Sequence, residues 1–297
     1  MSEPAPIHDT TRVIVGYNSA TRLRWQAERS ARLPTLLVDN ASVDATVPLA
    51  RSLGYRVLAF VENQGFGRGV MAGLRAVPTE FALVINPDAA MDGTAVQTLV
   101  AAARRYPECD LFLPRLVDET GGVFFRHESS LERRTLRRVP EGTACIPMIS
   151  GAAMLIRVRP FLAFGGFDPA IFLYFEDDDL ALRYRAERRP MIYVPEAHAL
   201  HLGDRSTAGD PEAGRVKDVS FGWSRAYLMA KHRRGLRWPS LAGMVAKLAI
   251  YAVAGRRQRM HRQVGRIEGF RAALRGEPAP YLPENTTFYE NMQESSG

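Results

Sequence analysis

Residues 13–47 read VIVGYNSATRLRWQAERSARLPTLLVDNASVDATV, and the fold is decided there. Two short apolar runs, 13–17 and 35–38, flank a helix-length segment, 20–32. The runs are rich in Val, Leu and Ile with little polar alternation, the pattern of strands buried on both faces. Further along, 56–60 and 81–85 read as strands, and 44–53, 67–76 and 94–106 as helices. This alternation predicts a mostly parallel sheet wound with helices. Ligands of such sheets bind beyond the carboxyl ends of the strands. The residues just after each strand are therefore the ones to read for chemistry.

Past Val117 the pattern dissolves. Gly121-Gly122 marks a turn, and 131–138 is short and very basic, so 117–145 reads as a mobile excursion. Order returns with a strand at 152–157, a short helix broken at Gly165-Gly166, an aromatic run 172–175, an acidic helix start, and a strand at 191–194. Residues 225–275 read as a basic helical segment and 276–297 as an extended or disordered tail, leaving 1–224 as the catalytic unit.

The chain has 297 residues, 46% hydrophobic and 24% charged, an ordinary globular composition. Cys109 and Cys145 stand far apart, which argues against a disulfide framework or zinc ribbon and fits a reducing compartment. No apolar run reaches the ~18–20 residues that span a bilayer. A soluble or peripheral cytoplasmic protein is expected, at the inner face of the membrane if peripheral. The net charge of +7 is segregated: 225–275 holds thirteen Lys/Arg and one acidic residue, Glu268, and the remainder is net acidic. That basic stretch raises a nucleic-acid-binding alternative, but no recognition motif accompanies it.

Each strand end offers a candidate group and a plainer reading beside it. Asp39 can accept a hydrogen bond from a nucleobase N–H, or belong with Asn40, Ser42 and Asp44 to a helix-capping cluster. Gly65, Gly67 and Arg68, in the run NQGFGRG, can cradle a phosphate at a helix start or serve a tight turn with close packing. Asp88, held open in its turn by Pro87, can share a Mg²⁺ or Mn²⁺ ion with diphosphate oxygens, or be a turn residue. In Glu176-Asp177-Asp178-Asp179 four carboxylates follow an apolar run. A helix N-terminus offsets part of their repulsion, and partial desolvation suits a general base. His198 and His201 are both conceivable metal ligands, and spacing does not choose between them.

Taken in order, VIVGYN (13–18), VDNASVDAT (38–46), NQGFGRG (63–69), INPDA (85–89), SGAAMLI (150–156), FGGFDPAIFLYFEDDDLALR (164–183) and YVPEAHALH (193–201) resemble the family 2 glycosyltransferases, the rhamnosyltransferase-like branch especially. The resemblance implies a glycosyltransferase A fold: a nucleotide-binding part over about 12–110 and an acceptor part over about 146–205. Tyr17, Asn18, Asp39, Asn40, Asn63, Gly65, Gly67, Arg68 and Asn86 would bind the nucleotide. Asp88 and His201 would hold Mg²⁺ or Mn²⁺, which selects His201 over His198. Asp177 would be the catalytic base with Glu176 beside it, and Gly151, Ala152 and Tyr174 would meet the acceptor. Asn86 replaces the first Asp of the family's D-x-D element, Pro169 replaces its usual Glu, and Asp178 stands where Val or Ile is common. The implied reaction is one in-line, inverting displacement from a nucleoside-diphosphate sugar onto a glycan or lipid-linked acceptor. The Asn-Pro-Asp form points to dTDP-rhamnose, with UDP-hexoses as the alternative donors. A sugar-nucleotide pyrophosphorylase is disfavoured because Gly16-Tyr17-Asn18-Ser19 lacks that class's loop.

Overall fold

The computed structural model describes residues 7–129, 131, 136, 138–203, 211–235 and 237–285. Its first half follows the expected alternation. The elements are β1 (Thr10–Gly16), α1 (Ala20–Arg29), β2 (Thr35–Asp39), α2 (Thr46–Ser52), β3 (Arg56–Ala59), α3 (Gly65–Ala76), β4 (Phe81–Ile85), β5 (Ala89–Ala90) and α4 (Gly93–Arg105). Then come β6 (Leu111–Val117), β7 (Val123–Phe124), β8 (Ala144–Cys145), β9 (Ala153–Arg157), α5 (Val158–Phe164), α6 (Glu176–Ala186) and β10 (Ile192–His201). Three helices close the chain: α7 (Pro211–Lys231), α8 (Arg237–Val253) and α9 (Arg257–Leu274).

One sheet runs β3-β2-β1-β4-β9-β6-β10-β5, with β7 on β6 and β8 on β10. Ladders β3–β2, β2–β1 and β1–β4 are parallel, and β9 enters antiparallel between β4 and β6, so the sheet is mixed beyond β4. The chain winds outward from β1 in both directions, which makes the gap between β1 and β4 the topological switch point where such sheets open a ligand crevice. All residues of β1, β2 and β4 are buried, which is why these strands show no alternation.

Helix α3 lies close on the sheet because glycine allows it. A Cβ on Gly73 would fall 2.5 Å from Val13 Cγ1, and one on Gly65 only 2.1 Å from the Phe172 carbonyl oxygen, with Gly65 at φ +78°. Neither position accepts a side chain without a shift in backbone or strand. The carboxyl-terminal helices use the same device. A Cβ on Gly222 of α7 would meet the Arg266 carbonyl at 1.9 Å, and one on Gly269 of α9 the Val219 carbonyl at 1.9 Å, so the two backbones touch.

Four expectations are corrected here. The strand β6 was not expected, and Pro114 sits within it. The strand anticipated at 191–194 continues to His201 through a register shift between Val194 and His198. That bulge absorbs Pro195, which has no N–H to give the ladder. The segment boundary expected at 225 falls inside α7, which begins at Pro211. The tail expected to be extended or disordered is anchored as far as Asn285. The Trp223 indole donates to the Glu277 carbonyl (3.0 Å), Arg68 donates to the Pro283 carbonyl (2.8 Å), and Ala279 is buried. Most of the basic stretch 131–138, and the tail beyond 285, lie outside the described residues.

Candidate active site

The carboxyl ends of β1, β2 and β4 form one rim. At the end of β2 Asp39 is 2% exposed. One of its carboxylate oxygens accepts the Ser42 N–H (3.0 Å), and the other is buried with no partner among the described residues. Buried acceptors of this kind are rare and call for a donor, and a nucleobase N–H is one. Ser42 does not cap the following helix as expected. Its hydroxyl accepts the Asn18 N–H (2.9 Å), while the Asn18 carboxamide accepts the Val43 N–H (2.9 Å). These two bonds tie the loops after β1 and β2 together, with Asn18 at φ +48° and Tyr17 44% exposed beside it.

The glycine run takes its plainer reading. The Gly65 N–H goes to the Asn63 side chain (2.9 Å) and the Phe66 N–H to the Phe172 carbonyl (3.2 Å), so two donors of the first turn of α3 are already used. Gly67 packs on Phe167, and Arg68 donates to the Pro169 and Pro283 carbonyls. Asn40 spends its carboxamide on the Gly65 carbonyl and the Gln64 N–H. Asn63, Gly65, Gly67, Arg68 and Asn40 thus brace α3 and do not form an open phosphate cradle.

Asp88 and His201 do come together. β5 pairs antiparallel with the end of β10, Ala89 opposite His201, and the Leu202 N–H donates to the Asp88 carbonyl (3.0 Å). This brings His201 Nε2 to 3.6 Å from an Asp88 carboxylate oxygen. Two bonds of about 2.1 Å, those of a small divalent ion, span such a gap. The Asp88 carboxylate suits Mn²⁺ or Mg²⁺, and the imidazole beside it favours the transition ion Mn²⁺ over the harder Mg²⁺. No group of three His, Cys, Asp or Glu suited to a metal occurs among the described residues. His198 is exposed and pairs in register with Arg115, away from Asp88. A cleft beside the pair is lined by Arg22, Trp25, Asp118, Glu119, Thr120, His201 and Leu202. Asn86, just past β4, is fixed by its N–H, which donates to the Ala152 carbonyl (2.9 Å), and by its carbonyl, which accepts from the Gln26 side chain (2.7 Å).

The acidic run starts α6 after two consecutive left-handed residues, Tyr174 (φ +67°) and Phe175 (φ +65°). Such backbone is costly and persists where the surroundings impose it. Here Phe175 and Tyr174 pack on Phe221 of α7. The four carboxylates then divide. Asp179 is fully buried and holds Arg183 (2.8 Å), Lys231 (2.7 Å) and His232 (2.8 Å). Burial works against its charge, but these partners, His232 foremost, outweigh it and draw its carboxyl down to about 2. Asp179 is therefore a fixed anion joining α6 to the end of α7. Glu176 is the opposite case. Burial, then the neighbouring Asp177, pushes its carboxyl up to about 8, and Glu176 Oε2 is buried without a partner among the described residues.

Asp177 and Asp178 share one cation that sequence reasoning missed. Arg126 places one nitrogen 2.6 Å from Asp177 and the other 2.6 Å from Asp178. Ser129 also donates to Asp178 (2.8 Å), and the Asp178 N–H to Asp177 Oδ1 (2.9 Å). Burial raises the Asp177 carboxyl above its ordinary range, and Arg126 opposes that rise. Arg126 arrives on a β6–β7 hairpin whose turn is closed by Asp118, which accepts the Thr120 and Gly122 N–H groups (both 2.8 Å). The turn signal Gly121-Gly122 was visible in the sequence, but the return of the chain to the acidic helix was not. Of the residues expected on the acceptor side, Gly151 lies against the Phe66 ring, Ala152 is buried in the core and Tyr174 packs on Phe221.

Residues 26–164 match the model of Glycosyl transferase family 2. The chain carries a family 2 glycosyltransferase domain. The matched stretch includes Asp39, the glycine run and Asp88 and stops before the acidic helix and His201, which this glycosyltransferase adds by geometry. A curated relative is the N-acetylglucosaminyl-diphospho-decaprenol L-rhamnosyltransferase of Mycobacterium tuberculosis (strain CDC 1551 / Oshkosh). It is 28% identical over 278 residues, covering 79% of this chain and 88% of the relative. Among solved structures, the mannosyltransferase PcManGT from Pyrobaculum calidifontis, in complex with GDP-Man and Mn²⁺, superposes with TM-score 0.55 at 15% identity over 91% of this chain and 88% of that one. GalNAc-T7 with UDP, GalNAc and Mn²⁺ gives TM-score 0.54 at 14% identity over 75% of this chain, which spans half the length of that protein. The structural likeness is one of fold, the glycosyltransferase A architecture.

Proposed function

We propose that this glycosyltransferase moves rhamnose from dTDP-rhamnose onto a sugar carried by a polyprenol diphosphate, with inversion, in the synthesis of a cell-surface polysaccharide. The observation that carries the reading is the pairing of Asp88 with His201 beside a cleft on the rim that also bears Asp39. The donor and acceptor classes rest on the M. tuberculosis relative, whose name states a rhamnosyl transfer to a decaprenol-linked sugar.

In this reading Asp39 accepts the N–H of the thymine base, and Tyr17 and Asn18 border the nucleoside. Arg22, on the cleft wall with His201, meets diphosphate charge. Asp88 and His201 would hold a divalent Mg²⁺ or Mn²⁺ ion, which would supply charge neutralisation for the departing diphosphate. Asp177 takes the proton of the acceptor hydroxyl as that oxygen bonds to the anomeric carbon. The bond from that carbon to the diphosphate oxygen breaks on the opposite face, and its electron pair leaves with the diphosphate. Each Asp177 oxygen already accepts one hydrogen bond and retains a second lone pair for the incoming proton. Glu176, pushed toward its neutral form by burial and then by Asp177, stands beside that base.

Calorimetric titration with dTDP-rhamnose, UDP-glucose, UDP-GlcNAc and GDP-mannose, each with Mn²⁺ or with EDTA, tests the donor and the metal together. Tightest binding is expected for dTDP-rhamnose, lost in EDTA and in Asp88→Ala. Equal binding with EDTA would remove the metal from the reading, and preference for a UDP-hexose would replace the donor.

A further inference from the structure

We propose that the outward face of α8 docks on the surface of an anionic lipid bilayer. The helix is apolar on both sides. Its inner side, centred on the buried Met244, packs with Met229 and Phe270. Its outer side carries Trp238, Ala242, Val245, Ala249, Ile250 and Val253, a helical stripe in which every residue is exposed. Trp238 is 71% exposed, Ile250 63% and Val253 92%. A continuous bare stripe on one helix differs from scattered surface apolar residues and marks an interaction face.

Charge identifies the partner. Arg256, Arg257, Arg259 and Arg262 follow the stripe at once, all exposed and without an ion pair among the described residues. Apolar side chains flanked by unpaired arginines suit the boundary between headgroups and acyl chains, with phosphates taking the guanidinium groups. A second copy of the chain would bring further arginines to the same face, whereas anionic headgroups neutralise them. No helix among the described residues is long and apolar enough to cross a membrane. At ~1.5 Å per residue α8 is about 26 Å long, so it lies along the surface.

The face is joined to the site. Lys231 and His232, at the end of α7, hold Asp179, and α8 begins at Arg237. Leu131, two residues from the Ser129 that holds Asp178, packs on the cluster around Met244. A bilayer under α8 would thus border the acidic helix start.

The inference does not depend on the donor or acceptor proposed above, because its test reads binding to vesicles that contain neither. The full chain is sedimented with phosphatidylcholine vesicles, with or without phosphatidylglycerol, at low and high salt. Binding is expected only with phosphatidylglycerol, weakening with salt. The double variant Val245→Glu/Ile250→Glu should lose at least tenfold in partitioning with an unchanged thermal midpoint, because both side chains are solvent-facing. Separately, Arg257→Glu/Arg259→Glu should lose most of the salt-sensitive part. Wild-type protein that stays in the supernatant at low salt overturns the proposal, as does a Val245→Glu/Ile250→Glu variant that binds like wild type. A concentration-dependent dimer abolished by that variant, without vesicle binding, would assign the face to a second copy instead.

Discussion

Asp177, the proposed base, is largely buried beside the opposing charge of Arg126. Burial first, and the neighbouring Asp178 after it, favour the protonated form of Asp177; Arg126 opposes both. The base works ionised, so kcat/KM falls as pH drops through its pKa. Without the arginine, burial and Asp178 lose their main opponent and the pKa rises further. Arg126→Gln should therefore move the acid limb of the pH profile upward by about one unit or more, the range of an Asp–Arg neighbour effect. Arg126→Lys should restore part of the shift. An acid limb that stays in place in both variants would reduce Arg126 to a packing role. None of this was legible in the sequence, because the separation of 51 positions from Arg126 to Asp177 is closed by tertiary contact alone. The acidic run itself was legible, since carboxylates at a helix start are a local pattern.

Among the elements, β10 made the choice that spacing left open. The run at 191–194 looked like a short strand ended by Pro195, and two histidines beyond it were equivalent on paper. The bulge after Val194 carries the strand past the proline, and the β5–β10 ladder then sets His201 beside Asp88 while His198 stays exposed. His201→Ala should weaken Mn²⁺-dependent nucleotide binding by about tenfold or more, at least the loss seen when a ligand's supporting residue is removed. His198→Ala should leave it within about twofold. Equal effects measured by calorimetry would contradict the assignment. Helix α3 teaches the converse. Its glycines resemble a phosphate loop in sequence, yet a glycine signals close backbone approach without naming what approaches, and for Gly65 the neighbour is Phe172. Strand β6 escaped notice because Pro114 and Arg115 interrupt its apolar run.

At the scale of the whole molecule, the segregation of charge maps onto structure. The acidic remainder of the chain forms the sheet and its rim, while the basic stretch belongs to helices that pack on one another and bring Lys231, His232 and the apolar Leu228 to the acidic helix. The parallel first half was readable because buried strands and amphipathic helices are local patterns. The β9 insertion and the return of the tail to Arg68 were not, because each depends on partners tens to hundreds of residues away. The proposed function joins Asp39 as base-reading carboxylate, Asp88 with His201 as metal pair and Asp177 as general base in one reaction. Turnover of dTDP-rhamnose with a polyprenol-diphosphate-linked GlcNAc acceptor, compared between wild type and Asp177→Asn, tests that account most directly. Asp177→Asn is predicted to bind the donor as wild type does and to lose roughly 10²–10⁴ in turnover, the range for removal of a positioned base. Turnover within a few-fold of wild type, with donor binding intact, would contradict it.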